Sequence, residues 1–70
     1  MIPLTYATLN ESNVVKKIQA EQSVIDNLKN LGIVVGSVVT IVSFFGESVI
    51  ISVKDARIAI SKEVAKKVLI

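Results

Sequence analysis

The carboxylates are the side chains to consider first for metal binding or acid–base chemistry in this 70-residue chain, because the sequence contains neither histidine nor cysteine. These absences exclude the common catalytic triads, a thiol nucleophile, disulfides and zinc-finger ligand sets. The carboxylates are spread over several predicted turns and helices, and none belongs to a metal-binding or acid–base spacing motif. We therefore predict no catalytic residue, no cofactor and no metal site. The six acidic residues are interpreted as surface charges: Glu11, Glu21, Asp26, Glu47, Asp55 and Glu63.

Gly32 and Gly36 lie in an uncharged run over residues 30–46. They could belong to a phosphate-binding loop or to a membrane-helix dimer motif. A phosphate-binding loop would need a lysine followed by serine or threonine after the second glycine, and none follows. The Gly-x-x-x-Gly spacing also matches a membrane-helix dimer motif, which functions only within a span of about 20 apolar residues. This run has 17 residues and includes three serine or threonine residues. The sequence therefore favours a soluble core segment.

Most of the basic residues lie in the C-terminal third of the chain, where the net charge of +2 originates. This surplus fits contact with nucleic acid or with an acidic protein face, and it also fits an ordinary solvated face. Aromatic side chains, on which bases would stack, are not interleaved with these charges, so we expect no nucleic-acid binding. The residues concerned are Lys54, Arg57, Lys62, Lys66 and Lys67.

The clearest element predicted along the chain is a helix over AEQSVIDNLKNLG, which positions the acidic residues Glu21 and Asp26. Its apolar residues recur at helical spacing and form one stripe, consisting of Val24, Ile25, Leu28 and Leu31. Ser23 and Asp26 match a capping box, and Glu21 suits the first turn if the helix starts earlier. Gly32 then stands where a helix ends in a residue with positive φ.

After Gly32 the period of the apolar residues changes from helical to alternating. Gly36-Ser37 predicts a turn before the strand SVVTIVS, and Gly46 predicts the next turn. Three alternate residues of ESVIISVK, namely Val49, Ile51 and Val53, share one face.

The remaining segments are shorter. We predict a tight connection at Asp55-Ala56, then a strand with Ile58 and Ile60 inward and Arg57 outward. Ser61 caps a helical turn over KEVAKK before the apolar end of the chain. Near the start, Asn10–Asn13 predicts a turn, and residues 14–18 a short strand. About five strands and one helix predict a mostly β fold, a small antiparallel barrel formed by one domain over residues 1–70.

The ordered set of segments resembles the FeoA family over essentially the whole chain. The resemblance rests on Pro3-Leu4-Thr5, the turn at Asn10–Asn13, the helix ending in Leu31-Gly32, the second glycine Gly36, and Arg57–Ile60 followed by Lys62–Ala65. The sequence departs from the family where Asn10 and Asn13 replace the usual glycines. It departs again at Val35, where the family often has proline.

The resemblance implies an SH3-like barrel and a non-enzymatic cytoplasmic role beside FeoB, the membrane transporter of ferrous iron that carries a cytosolic GTP-binding domain. Membrane contact would then be indirect, through the transporter. One alternative is the SH3-like regulatory module of metal-dependent repressors. Another is a small nucleic-acid-binding barrel that uses the basic C-terminal third. Salt dependence separates them, because phosphate contacts weaken steeply with salt.

The excess of apolar residues predicts an exposed apolar patch that binds the partner. Turns and strand ends supply the candidates, which are Ile33, Val34, Val35, Phe44 and Phe45, with Lys29 and Arg57 as flanking charges. For the adjacent phenylalanines we expect one ring outward and one inward; the alternative is a ring that plugs the barrel mouth. Self-association through the same patch is compatible with this interpretation.

Overall fold

Six strands and two helices follow one another along the chain in the computed structural model, which describes residues 1–70. A single 3-10 turn at Leu4–Tyr6 is followed by β1 (Ser12–Val14), β2 (Lys17–Ile18), α1 (Gln22–Asn30), β3 (Val38–Phe45), β4 (Ser48–Val53), β5 (Ala56–Ser61), α2 (Lys62–Ala65) and β6 (Val68–Leu69). All strand pairs are antiparallel, in a four-stranded sheet of order β1-β3-β4-β5 and a two-stranded sheet of β2 and β6. The predicted mostly β class is confirmed, but the strands are divided between two sheets that do not close into the predicted barrel.

The core consists of aliphatic side chains only, since no polar or charged residue is buried. Strand β4 supplies Val49, Ile51 and Val53 from one face, as the alternation predicted. Leu28 of α1 and Val68 of β6 pack into the same cluster. Burying each such side chain contributes roughly 2 kcal/mol, so a chain with only 13 buried residues depends on nearly all of them.

Helix α1 begins earlier than the capping box predicted. Glu21 is the extended N-cap residue, and Ser23 lies inside the helix, so the proposed pairing of Ser23 with Asp26 is wrong. Asp26 instead accepts a hydrogen bond of 2.8 Å from the side-chain amide of Gln22, one turn earlier. At the other end, Gly32 has φ +92° and stops the helix, as predicted.

The segment upstream of α1 changes sheets where a single strand was predicted. Its turn has a left-handed residue at Asn10, with φ +64°, but Asn13 is already within β1. Buried Val15 then bonds through its N–H and C=O to Ser37 and Gly36, while the next N–H, of Lys16, bonds to Leu69. The backbone therefore leaves β3 and joins β6 within two residues.

Candidate functional site

The predicted partner-binding residues separate onto the two ends of strand β3. We define the loop end as Lys29, Val34, Val35, Lys54 and Arg57, and the hairpin end as Phe44, Phe45 and Lys62. The seven steps along β3 between Val38 and Phe45 span at most about 23 Å at about 3.3 Å per residue. The whole molecule measures 27 × 23 × 23 Å, so the two groups lie on opposite sides of it.

Ile33 belongs to neither end, and its predicted role as an exposed contact is wrong. Its side chain is 0% exposed. The N–H of Ile33 donates to Leu28 over 2.8 Å, and that of Gly32 donates to Lys29 over 3.0 Å. These two bonds form a Schellman motif, which commonly packs the residue after the glycine against the last turn of the helix. The helix stop therefore directs Ile33 into the core.

The next two residues are held outward by a hydrogen-bonded loop. The hydroxyl of Ser37 accepts a 3.0 Å bond from the N–H of Val34 and donates a 3.1 Å bond to the C=O of Gly32. Gly36 donates to Val15, which fixes the other side of the loop. These bonds satisfy inward polar groups and leave Val34 and Val35 at the surface, 42% and 63% exposed.

Basic residues surround these valines at the loop end. Lys29 and Lys54 line, together with the loop, an open depression of about 490 Å³. Arg57 does not line the depression; it lies in β5, paired with Ser52 of β4, shortly after the turn that carries Lys54. None of the three is in a salt bridge, because the single ion pair of the structure joins Lys66 and Glu63 at 3.8 Å. An apolar spot with unpaired cations around it suits an acidic protein surface that also offers an apolar contact.

Lys54 is a residue of this surface that the sequence analysis assigned only to the basic surplus. The two-residue turn between β4 and β5 is Lys54-Asp55, one residue earlier than the predicted Asp55-Ala56. Lys54 at its first position has φ +54°, a conformation usually left to glycine or asparagine. Such strain costs on the order of 1 kcal/mol. The short connection between β4 and β5 is the sequence feature that predicts this conformation, because two-residue hairpin turns require positive φ at their first position.

At the hairpin end both phenylalanine rings are exposed, so the expectation of one inward ring is wrong. Phe44 is 43% exposed and Phe45 is 79% exposed. The register of β3 against β4 shifts between Ile41 and Ser43, and the last residues of β3 extend past the core with the turn at Gly46. Lys62 Nζ lies 5.6 Å from the centroid of the Phe44 ring, within the range of a cation–π contact.

The other charged residues do not form a second site. No group of three acidic residues comes close enough to hold a metal ion. The C-terminal basic residues are divided, since Lys54 and Arg57 lie at the loop end, Lys62 at the hairpin end, and Lys66 in the ion pair. No helix has the length and apolar composition needed to cross a membrane.

Comparison with known proteins settles the relationship suggested by the helix stop and the loop. The model of the FeoA domain matches residues 2–70. This chain belongs to the FeoA family. A candidate Fe(2+) transport protein A of Methanocaldococcus jannaschii is 36% identical over 70 residues, covering 100% of this chain and 85% of the relative.

Solved structures of the FeoA family show the same fold. The crystal structure of an iron uptake regulatory protein, FeoA, superposes with a TM-score of 0.85 at 25% identity, covering 96% of this chain and 89% of that one. The FeoA of Stenotrophomonas maltophilia, complexed with zinc and described as a prokaryotic SH3 domain protein, gives 0.79 at 30% identity, with coverage of 94% and 85%. The predicted SH3-like fold is thereby confirmed for this FeoA-family chain.

Proposed function

We propose that this chain is a non-enzymatic accessory protein of ferrous iron uptake, which binds the cytosolic GTP-binding region of a FeoB-type transporter through its loop end. The observation that carries the proposal is the pair of exposed valines, fixed by Ser37, which lines one depression together with Lys29 and Lys54, neither of them in a salt bridge. Arg57 follows on β5, close to the turn that carries Lys54. The M. jannaschii relative is named for Fe(2+) transport, and the S. maltophilia relative has been considered a ferrous iron transport activating factor. We expect the chain to act as one domain in the cytoplasm.

The loop end is suited to protein contact because its backbone is already ordered. A binding surface that is held in place before association loses less conformational entropy when the complex forms. A stable interface covers about 800 Å² on each partner, which is roughly a fifth of the 4346 Å² surface of this chain. The two valines are too small for that area, so we expect the neighbouring exposed residues Leu31 and Val38 to take part.

The test is an NMR titration of the labelled chain with the isolated GTP-binding domain of its own transporter, loaded with GDP or with a non-hydrolysable GTP analogue. We expect amide shifts at residues 29–38 and 54–57. Val35→Asp should weaken binding by about 100-fold, since it places a desolvated carboxylate at the centre of the contact. Its exposed position predicts little change in the free energy of unfolding.

Phe45→Asp is the matched control, because it changes an exposed apolar residue at the opposite end. The proposal requires this variant to bind like the parent chain. Equal losses in both variants, or shifts confined to residues 44–47, would contradict a contact at the loop end. Absence of binding with either nucleotide would contradict the GTP-binding region as the partner.

A further inference from the structure

The β5 strand leaves one edge of the four-stranded sheet without a partner. It is the last strand in the order β1-β3-β4-β5. The two-residue turn makes Val53 and Ala56 a hydrogen-bonded pair, and such pairs alternate with non-bonded pairs along an antiparallel ladder. The N–H and C=O groups of Arg57 and Ala59 therefore point away from β4. Both residues are exposed, so these backbone groups remain open to another strand.

An apolar groove runs beside this open edge. It has a volume of about 210 Å³ and separates β5 from α1. One face of the helix lines it with Val24, Leu28 and Leu31, and β5 lines it with the consecutive residues Ala59 and Ile60. Consecutive residues of a strand point to opposite faces, so a cavity that touches both lies along the edge of the strand. The helix stripe predicted from sequence thus has a second role besides core packing.

We propose that this groove binds an extended peptide segment of a partner protein, which adds to β5 as a further strand. The backbone of the bound segment pairs with the outward groups of Arg57 and Ala59, and its alternate aliphatic side chains enter the groove. The volume corresponds to about seven water molecules held among mostly apolar walls, and their displacement favours binding. Recognition of this kind combines backbone hydrogen bonds with pockets for alternate side chains.

Arg57 defines a further property of the bound segment. Its guanidinium lies on the exposed face of the edge strand and has no acidic partner within the chain. Opposite charges on directly facing residues stabilise neighbouring strands. The segment therefore carries an aspartate or glutamate at the position opposite Arg57, next to its aliphatic positions.

A second copy of the chain is a poorer occupant. Pairing β5 with another β5 would satisfy the backbone, but Ile58 and Ile60 of each copy already pack against their own core. The residues left to enter the groove would be Ala59 and Ser61, which are too small to fill it. The bound segment would share Arg57 and Leu31 with the interface expected at the loop end, whereas Ala59 lies outside that interface. Ala59→Pro therefore separates failure of this proposal from failure of the proposed function.

The experiment is a selection of binders from a phage-displayed library of random heptapeptides, followed by NMR titration of the labelled chain with the synthetic winners. We expect alternating aliphatic residues with one acidic position, and shifts confined to residues 24–31 and 57–64. Hydrogen exchange at the amides of Arg57 and Ala59 should slow on binding.

Ala59→Pro removes an outward N–H without removing a ladder bond and should weaken binding about tenfold, while Ala59→Ser should stay within about twofold.

Two further comparisons keep the test independent of any folding defect in Ala59→Pro. Leu31→Ser removes an exposed apolar wall of the groove and should weaken binding about tenfold, whereas Val14→Ser, on the opposite edge strand, should not. The same peptide methylated at the backbone nitrogens that face β5 should lose binding to the unchanged protein. A library without enriched sequences, shifts outside the groove, full binding of the methylated peptide, or protection that appears only through dimerisation would overturn the proposal.

Discussion

The loop end and the hairpin end of strand β3 both expose apolar side chains, yet they differ in how those side chains are supported. At the loop end, Val34 and Val35 belong to a segment whose polar groups are bonded to Ser37 and Val15. At the hairpin end, Phe44 and Phe45 extend past the core on a two-residue turn. The hairpin end exposes the larger apolar area, while the loop end has the more fixed backbone.

The basic residues of the two ends also differ in whether they have a partner within the chain. Lys62 at the hairpin end lies against the Phe44 ring, so its positive charge already interacts with a group of the same molecule. The basic residues of the loop end have no such partner. Exposed apolar area is therefore a poor guide to a binding surface by itself, and backbone order together with unpaired charge separates the two ends.

The largest expected effect concerns the residue that anchors the loop end to the core. Ile33→Ala should lower the free energy of unfolding by about 3 kcal/mol, because it leaves a cavity under the Schellman motif. In a domain of this size the Tm should fall by more than about 10 °C. Val35→Ala, two residues later and exposed, should shift it by no more than about 2 °C. Thermal unfolding followed by circular dichroism measures both, and equal shifts would mean that the loop end is not anchored through Ile33.

A smaller effect is expected from the hydroxyl that orders the loop. Ser37→Ala removes the acceptor for the Val34 N–H and the donor to Gly32, and it should cost about 1 kcal/mol. Hydrogen exchange at the Val34 amide should become faster, with little change at the hairpin end. Ser43→Ala, a serine later in β3 for which the structure records no side-chain hydrogen bond, is the matched control. If Val34 exchanges at the same rate in both variants, the loop is not ordered by Ser37.

The smallest effect concerns the hairpin end. Lys62→Gln should cost about 0.5 kcal/mol, the contribution of an exposed cation–π contact with Phe44. The loss should disappear when Phe44 is replaced by leucine, since the ring is then absent. A double-mutant cycle measured by urea unfolding isolates this term. A coupling energy of zero would show that Lys62 gains no stabilising contact from Phe44, and the contrast with Lys29 and Lys54 of the loop end would be lost.

Several local features followed from the sequence because their causes are local. The end of α1 at Gly32 and the inward face of β4 depend on one glycine and on a period of two. The capping hydrogen bond from Val64 to Ser61, 3.1 Å long, likewise follows from residue type and position. The FeoA resemblance rested on the order of these segments, and the match over residues 2–70 confirmed it.

The candidate site was predicted less well, because surface position depends on which segments meet in space. The sequence grouped Val34, Val35, Phe44 and Phe45 as neighbours of one uncharged run, but strand β3 places the two pairs at its opposite ends. Ile33 has the same apolar character as Val34, and only the hydrogen bonds of the helix stop assign one to the core and the other to the surface.

The sequence alone determined the residue chemistry of this protein, its mostly β class, its helix and the inward face of its central strand, since each depends on residue type or on short periodicity. The tertiary structure decided that one run of residues forms two separate surfaces, and that Lys54 joins Lys29 at one of them. It also decided that β5 remains an open edge beside α1. These features arise from pairing between residues far apart in the chain, and local sequence pattern does not specify such pairing.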